Sequence, residues 1–314
     1  MADQASRLRK QMELWRPSPE SAAVPTAQDL SLPAVQPARV IAVASGKGGV
    51  GKSNFCVNFG LALVQRGLRV VVIDADVGFA NVEVLLNIAP AHSLLDLLEN
   101  LRLEDIVEQS PYGLSFVSGG SGLFKESIFD HPEADRLMRD LQTLCSLYDV
   151  VLFDCAAGAD SMIRRIAATC DDFVMVVTPE PTSLTDSYSL LKWLAGAGVS
   201  VSPKVVVNRV HSLAEGHETT QRLQLAAGKF LAIEVANLGY VMDDSAIVQA
   251  VMRQVPLMIH SANSRAALCY RQIADRYLQL KIGDVPRSST GLGFFERLFA
   301  VRRRWPFRGG DQGG

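Results

Sequence analysis

A glycine-rich segment at residues 45–53 combines residue types that can hold phosphate groups. It reads Ser-Gly-Lys-Gly-Gly-Val-Gly-Lys-Ser and contains the spacing G-x-x-x-x-G-K-S, directly after an apolar segment. Glycines let backbone N–H groups close around phosphate oxygens, and a following helix presents its positive dipole end to the same anion. The expected phosphate-binding residues are Gly46, Lys47, Gly48, Gly49, Val50, Gly51, Lys52, Ser53 and Asn54.

Two side chains at the end of this loop have expected chemical roles. In a loop of this spacing the lysine before the last serine, Lys52, reaches the β- and γ-phosphates and takes part in catalysis. The hydroxyl of Ser53 coordinates Mg²⁺ in the same arrangement. The loop therefore predicts a nucleotide and Mg²⁺ as the bound cofactors.

Carboxylates follow two further apolar segments. Asp74 and Asp76 end the segment that begins at Val70, and Asp154 ends the segment that begins at Val150. Residues at the carboxyl ends of parallel strands face the ligand crevice, and residues two apart on a strand share a face. Four apolar residues before an aspartate are typical of the acid that holds the Mg²⁺ hydration shell. We therefore expect Asp154 at a metal site. Asp76 either faces the ligand crevice or caps a following helix.

The elements that must position these groups can be predicted from the apolar pattern of residues 39–283. Short β-branched segments that are apolar almost throughout predict strands covered on both faces, and helical patterns lie between them. The predicted strands are 40–44, 70–74, 114–117, 150–154, 173–178 and 204–208, and two of the predicted helices are 132–147 and 183–194. This alternation predicts an α/β fold, a P-loop NTPase with a mainly parallel, doubly wound sheet flanked by helices.

Composition divides the chain into four parts: an arm at 1–16, a proline-rich linker at 17–38, the predicted nucleotide-binding domain at 39–283 and a basic tail at 284–314. The net charge is −2, so a globally basic nucleic-acid-binding protein is not expected. Five cysteines without C-x-x-C spacing favour reduced thiols in the cytoplasm. No apolar stretch reaches the roughly 18 residues that a membrane-spanning helix needs.

The loop with its additional lysine, K-G-G-V-G-K-S, resembles the deviant Walker ATPases of the MinD/ParA family. This resemblance implies ATP and Mg²⁺ as cofactors and slow, dimer-dependent hydrolysis. It implies that Lys47 reaches the phosphates of the other subunit in a homodimer that sandwiches two nucleotides. It also implies that Asp76 orients the attacking water and that Asp74 supports the Mg²⁺ site. At the end of a further strand, it assigns Asn208 to the adenine edge and Arg209 to stacking on the ring.

The N-terminal arm has the pattern of a docking helix. Ala5, Leu8, Met12 and Trp15 fall on one helical face, and the following linker cannot bury a core. The motif D-Q-A-x-x-L-R resembles the N-terminus of the flagellar-number regulators of the FlhG (FleN, YlxH) type. That resemblance implies regulation of the number or placement of flagella through an FlhF-like GTPase. The arm residues expected to contact this partner are Asp3, Gln4, Ala5, Leu8 and Arg9.

The tail has the pattern of a basic amphipathic helix. Residues 287–308 contain six arginines and one glutamate, and aromatic and aliphatic residues recur at helical spacing. Such a helix, too short to span a bilayer, is typical of an anionic membrane surface. The expected membrane residues are Phe294, Phe295, Leu298, Phe299, Arg302, Arg303 and Arg304. Alternatively the helix packs on the protein's own core, and both hold if it is docked in the monomer and released on dimerisation.

These expectations together describe an ATP-dependent switch in the cytoplasm that is peripheral on the inner face of the cell membrane when ATP is bound. Two alternatives remain open. A DNA-partition ATPase of the ParA kind would need a basic surface on the sheet domain, whereas the basic excess lies in the tail. An iron–sulfur carrier would need paired thiols at a dimer interface, and only Cys155 is near the predicted site.

Overall fold

Eight strands form one sheet at the centre of the domain. The computed structural model describes residues 38–76, 81–99, 101–120, 131–282 and 291–304. The strands are β1 (Arg39–Ser45), β2 (Val70–Ala75), β3 (Glu108–Gln109), β4 (Ser115–Val117), β5 (Val150–Ala157), β6 (Asp172–Val177), β7 (Pro203–Val210) and β8 (Ala236–Met242). Their order is β3-β4-β2-β5-β1-β6-β7-β8, and every pairing is parallel except that of β3 with β4. The predicted mainly parallel sheet is confirmed.

Helices cover both faces of this sheet, as expected for strands that are buried on both sides. They are α1 (Lys52–Val64), α2 (Asn81–Leu86), α3 (Leu103–Ile106), α4 (Ala134–Leu147), α5 (Ser161–Thr169), α6 (Pro181–Gly196), α7 (Leu213–Leu231), α8 (Ser245–Met252), α9 (Leu257–His260), α10 (Arg265–Ile282) and α11 (Gly291–Arg304), with a 3-10 helix at Leu94–Glu99. None of the helices in the described ranges is long and apolar enough to cross a bilayer.

The residues of β5 show how the sheet separates two apolar cores. Val151 and Phe153 face the core beneath α4, α5, α6, α7 and α11. Val150 and Leu152 face the core beneath α1, α9 and α10. Because neighbouring side chains on a strand point to opposite faces, a nearly continuous apolar segment is what two covered faces require.

Two strands were not predicted from the sequence. β8 is an edge strand with an alternating pattern of buried and half-buried or exposed residues, and Gly239 interrupts its apolar run at a φ of 156°. β3 has only two residues, Glu108 and Gln109, both polar. Edge strands have one unpaired side, so neither strand carries the continuous apolar signal of the six central ones.

The tail helix α11 packs against the core. Phe294, Phe295 and Leu298 are at most 2% exposed, and the rings of Phe294 and Phe295 lie 5.4 and 6.2 Å from that of Phe153 on β5. Arg297 donates to the carbonyl of Thr169 at the end of α5 (2.8 Å). Of the apolar residues expected at a membrane, Phe294, Phe295 and Leu298 are therefore buried here and Phe299 is half-buried, so their contact with lipid requires that α11 leave this position.

Several predicted residues fall outside what the structure describes. The arm residues Asp3, Gln4, Ala5, Leu8 and Arg9 and the linker up to residue 37 lie outside the described residues. The backbone of Arg302, Arg303 and Arg304 belongs to α11, but their side chains also lie outside. The predictions for the arm and for the arginines of the tail remain predictions.

A buried charge network joins the strands at the edge opposite the glycine loop. The Asp172 carboxylate at the start of β6 accepts hydrogen bonds from Arg39 of β1, from Lys204 of β7 (2.7 Å) and from the Tyr277 hydroxyl of α10. Although burial opposes ionisation, these donors hold the pKa of Asp172 well below its usual range. One carboxylate therefore fixes the amino ends of three strands.

We predict that Asp172→Asn lowers the free energy of unfolding by about 3–5 kcal/mol at pH 7, because it removes a buried anion and leaves two half-buried cations without their partner. The pKa of Asp172 in the folded state lies below the unfolded value of about 3.9. Its contribution to stability is therefore complete above that pH and is lost progressively as pH falls toward the folded-state pKa. Urea unfolding of both proteins should therefore show a difference that shrinks from pH 5 to pH 2. The control Asp275→Asn, whose carboxylate is 55% exposed beside Arg66, should cost at most about 1 kcal/mol. A pH-independent difference at Asp172 would contradict this account.

Candidate functional site

The glycine loop lies between the end of β1 and the start of α1, at the carboxyl edge of the sheet. Gly49 and Gly51 have φ angles of 77° and 94°, a backbone conformation that other residues adopt at a cost. Gly46 lies against the backbone of α6, where a Cβ would be 2.2 Å from the carbonyl carbon of Asp186. A Cβ at Gly48 or Gly49 would meet nothing within 4 Å. The loop is thus packed from behind and open on the side where phosphates are expected.

Lys52 and Asp154 form a buried ion pair at the base of this loop. The Nζ of Lys52 lies 2.7 Å from Oδ1 of Asp154 and 3.7 Å from the Asp76 carboxylate, and the Asp154 side chain is fully buried. Although burial alone would lower the pKa of Lys52, the carboxylate of Asp154 raises it above its usual value. The sequence prediction that the strand ends bring these residues together agrees with this geometry.

Asp154 retains an unused acceptor. Its Oδ2 is buried and has no hydrogen-bond partner among the described residues. The buried Cys56 thiol lies close to this carboxylate, but a thiol is a weak donor and does not satisfy it. A buried carboxylate oxygen without a donor is costly, and a bound cation or its water shell would remove that cost.

Asp74 and Asp76 at the end of β2 complete a group of three carboxylates. Asp74 is paired in register with Asp154 on β5, and its carboxylate accepts from the backbone N–H groups of Asp76 and Val82. Burial and the neighbouring Asp154 raise the pKa of Asp74 to about 7. Burial also raises the pKa of Asp76, which lines the cleft. A bound cation would favour the ionised form of all three.

The donor set fits Mg²⁺, which takes oxygen ligands and keeps several waters. Ser53 lines the cleft with Asp76, and Asp154, whose Oδ1 contacts Lys52, has a second oxygen without a donor among the described residues. The residues that would hold the ion with a nucleotide are the Ser53 hydroxyl and the carboxylates of Asp154 and Asp74. Bound there, the ion would neutralise charge on the phosphates.

Asn208 and Arg209, at the end of β7, reach the glycine loop. The Nδ2 of Asn208 donates to the carbonyl of Val50 (2.7 Å), while its buried Oδ1 has no partner among the described residues. Arg209 donates through Nη2 to the carbonyl of Gly49 (2.9 Å). The predicted base-recognition residues thus lie at the cleft, and Asn208 retains an acceptor for the amino group of a base.

Lys47 points away from the cleft floor and is held within its own subunit. Its Nζ donates to Glu180 (2.8 Å) and to the Thr182 hydroxyl (2.9 Å), and its side chain is 38% exposed. The hydrogen bond from Lys47 and the positive charge of Lys47 keep the pKa of Glu180 below its usual value. The sequence does not predict this pairing, although Glu180, like Asp76 after β2, lies just beyond the carboxyl end of a strand.

The cleft beside the loop has a volume of about 800 Å³, a size typical of sites for small molecules and cofactors. Its outer rim is apolar and is formed by residues of α2 and α8. Neither helix carries a motif that predicts a site. The exposed rim residues are Val84, Val248, Val251 and Met252. Their isolated positions on short helices carry no sequence signal for a site.

Cys155 directly follows Asp154 on β5. It is 1% exposed, and burial raises its pKa well above the usual value. A buried thiol of raised pKa is inert, so Cys155 acts as a small core residue. Among the described residues no three His, Cys, Asp or Glu side chains are placed to hold a metal ion by themselves, so Mg²⁺ at Asp74 and Asp154 would need phosphate and water oxygens as further ligands.

Residues 36–278 match the protein family described as ParA, NUBPL iron-transfer P-loop NTPase. The antiactivator FleN of Pseudomonas aeruginosa is 32% identical over 265 residues, which are 84% of this chain and 94% of FleN. The flagellum site-determining protein YlxH of Helicobacter pylori is 29% identical over 268 residues, 83% of this chain and 89% of YlxH.

A solved structure supports the same fold. The septum site-determining protein MinD of Pyrococcus horikoshii, complexed with Mg-ADP, superimposes with a TM-score of 0.61 at 22% identity. The match covers 78% of this chain and 97% of that protein. At this identity the likeness shows a shared fold, and the residues that would hold the nucleotide must be argued from the site itself.

Proposed function

The chain belongs to the ParA/MinD family of P-loop NTPases, and we propose that it is an ATP-dependent dimerising ATPase that regulates the number or placement of flagella. One observation carries the nucleotide part of this proposal. Beside an open glycine loop, two buried acceptors, Oδ2 of Asp154 and Oδ1 of Asn208, have no donor among the described residues. Mg²⁺ near Asp154 and a nucleobase near Asn208 would satisfy both acceptors.

Hydrolysis requires an oriented water and a stabilised phosphoryl group. Asp76 lines the cleft at 3.7 Å from Lys52, which places a carboxylate beside the expected γ-phosphate. Its raised pKa brings it closer to the range in which a carboxylate accepts a proton or a hydrogen bond from water. We propose that Asp76 orients the attacking water while Lys52 and backbone N–H groups of the loop stabilise the phosphates.

Lys47 is the residue that makes the activity dependent on a dimer. In one subunit it contacts Glu180 and Thr182 rather than the cleft, and it is exposed enough to leave them. An exposed ion pair has little net stability, so a partner's triphosphate can replace Glu180 at low cost. We propose that Lys47 then acts across the dimer as an arginine finger does.

The flagellar role rests on two relatives and on the arm. The relatives that match most of the chain are named an antiactivator and a flagellum site-determining protein. The arm motif D-Q-A-x-x-L-R is present at residues 3–9. We propose that an FlhF-like GTPase binds the arm through Asp3, Gln4, Ala5, Leu8 and Arg9.

An iron-transfer activity, which the family description also names, has less support here. Such a role needs paired thiols that face a common ion, and the five cysteines are unpaired and buried or half-buried. A DNA-partition role would need a basic surface on the sheet domain. The net charge of −2 and the concentration of arginines in the tail therefore argue against DNA partition.

We propose further that the tail brings the ATP-bound dimer to the inner face of the cell membrane. The aromatic face of α11 is buried against β5 in this structure, so it is available to lipid only after the helix leaves its site. One short helix binds a bilayer weakly. A dimer presents two such helices, and once one helix is bound the other is held at a high effective concentration near the bilayer. Dimerisation would thereby control membrane binding.

The in-trans role of Lys47 can be tested by mixing two inactive variants. Lys47→Ala and Asp76→Asn should each reduce the rate of ATP hydrolysis by about a thousandfold or more, and both variants should still bind ADP. For Lys47 this is the effect of losing an arginine finger. In an equal mixture half of the dimers are mixed, and each mixed dimer has one complete site. The mixture should therefore recover roughly a quarter of the wild-type rate.

The control is a mixture of Lys47→Ala with Lys47→Ala, Asp76→Asn, in which no subunit can supply the lysine. It should remain inactive in a phosphate-release assay. Full activity of Lys47→Ala alone, or a mixture as inactive as its components, would contradict action across a dimer.

The membrane proposal predicts nucleotide-dependent sedimentation with anionic vesicles. Phosphatidylglycerol-containing vesicles should pellet the protein with Mg²⁺ and a non-hydrolysable ATP analogue but not with ADP. Replacing Arg302, Arg303 and Arg304 with Glu should weaken binding by at least roughly a hundredfold, since each lost arginine contributes about 1 kcal/mol, each 1.4 kcal/mol is a factor of ten, and the glutamates add repulsion. The buried aromatic residues are unchanged, so folding is preserved.

The matched control places the same charge change on exposed residues elsewhere, with Lys192, Lys229 and Arg253 replaced by Glu. It should sediment like the wild type. Sedimentation that is equal in ADP and in the ATP analogue would contradict gating by the nucleotide, and sedimentation that survives loss of the three tail arginines would contradict the role of the tail.

A further inference from the structure

Arg209 has a strained backbone at the edge of the nucleotide cleft. Its φ is 59°, in the left-handed region that residues other than glycine adopt at a cost in free energy. The register between β7 and β8 shifts between Asn208 and Val210, so Arg209 is the extra residue of an irregularity in the pairing. An extra residue in a strand redirects its side chain. Because backbone strain costs free energy, strain beside a cleft indicates that the redirected side chain has a function there.

The side chain of Arg209 is directed at the phosphate loop. Its Nη2 donates to the carbonyl of Gly49 at 2.9 Å, while the adjacent Asn208 donates to the carbonyl of Val50 at 2.7 Å. Two consecutive residues of β7 therefore hold two consecutive carbonyls of the loop. Gly51 allows this close approach, because a Cβ there would lie 2.4 Å from the Nδ2 of Asn208.

Holding these carbonyls fixes the N–H groups that phosphates need. In a trans peptide the C=O and the N–H point in opposite directions, and both belong to one plane. The carbonyl of Gly49 shares its peptide with the N–H of Val50, and the carbonyl of Val50 shares its peptide with the N–H of Gly51. The hydrogen bonds from β7 thus direct the N–H groups of Val50 and Gly51 away from β7.

A carboxylate lies within electrostatic reach of the Arg209 guanidinium. Glu180, which accepts from Lys47, also feels the charge of Arg209, and both cations keep its pKa below the usual value. Arg209 and Lys47 therefore lie near one carboxylate at the outer side of the loop. The observed polar contact of the Arg209 guanidinium is therefore with the backbone of the loop.

We propose that Arg209 is a positioning residue for the phosphates, acting through the carbonyl of Gly49, and is not the stacking partner of the nucleobase. The inference rests on the proposed nucleotide function and adds a specific role within it. The ligand that it affects is any diphosphate in the loop, with or without a nucleoside. A stacking residue would instead affect only ligands that carry a base.

The test compares ADP with inorganic pyrophosphate, each with Mg²⁺, by isothermal titration calorimetry. Arg209→Gly removes the side chain and also relieves the strain, since glycine adopts a positive φ freely. We expect the dissociation constants of both ligands to rise by about the same factor, roughly tenfold, as for the loss of one hydrogen bond to a charged donor. Arg209→Lys retains a donor and should recover part of the loss for both ligands.

The matched control is Gln254→Gly. Gln254 also has a positive φ, 52°, and is exposed, but it does not line the cleft. It should leave both affinities unchanged, and thermal unfolding should show both glycine variants folded.

The outcomes separate the two roles of Arg209. Weaker ADP binding with unchanged pyrophosphate binding would assign Arg209 to the base and overturn the proposal, as would unchanged binding of both ligands. If the wild-type protein binds neither ADP nor pyrophosphate, the nucleotide function itself fails, and this result is recognised without any variant.

Discussion

The buried ion pair between Lys52 and Asp154 is the constraint around which the candidate site is arranged. Removing two charges from water is costly, and the pair repays that cost only if the remaining polar atoms find partners. The Oδ2 of Asp154 has none among the described residues, and Asp74 lies beside it with a raised pKa of about 7. Asp74, Asp76 and Asp154 can hold more negative charge than Lys52 neutralises, and the charge of Mg²⁺ would offset that excess.

The sheet explains how these groups are brought together. β1 leads into the loop, β2 and β5 end in the aspartates, and β7 ends in Asn208 and Arg209, all at one edge. At the opposite edge Asp172 joins three strands through buried hydrogen bonds. β5 also connects the site with the tail, because Phe153, next to Asp154, packs against the aromatic pair of α11. A change at the metal site and a change in the tail therefore involve adjacent residues of one strand.

Much of this arrangement could be predicted from the sequence, because it depends on local patterns. A strand buried on both faces needs a continuous apolar segment, so β1, β2, β5, β6 and β7 were recognised together with the acids at their ends. The contacts of Lys47 with Glu180 and of Arg209 with Gly49 could not be predicted in this way. They join residues more than 130 positions apart through single hydrogen bonds, which leave no periodic trace in composition. The burial of α11 was similarly ambiguous, since one apolar face suits both a core and a bilayer.

The central claim is that the triphosphate bound to one subunit completes its site with a second subunit. The most direct measurement is the molar mass of the full chain by light scattering after gel filtration, with Mg²⁺ and either ADP or a non-hydrolysable ATP analogue. The account predicts the mass of one chain, 34.1 kDa, with ADP and twice that mass with the ATP analogue. The same mass in both nucleotides, whether of a monomer or of a dimer, would contradict it.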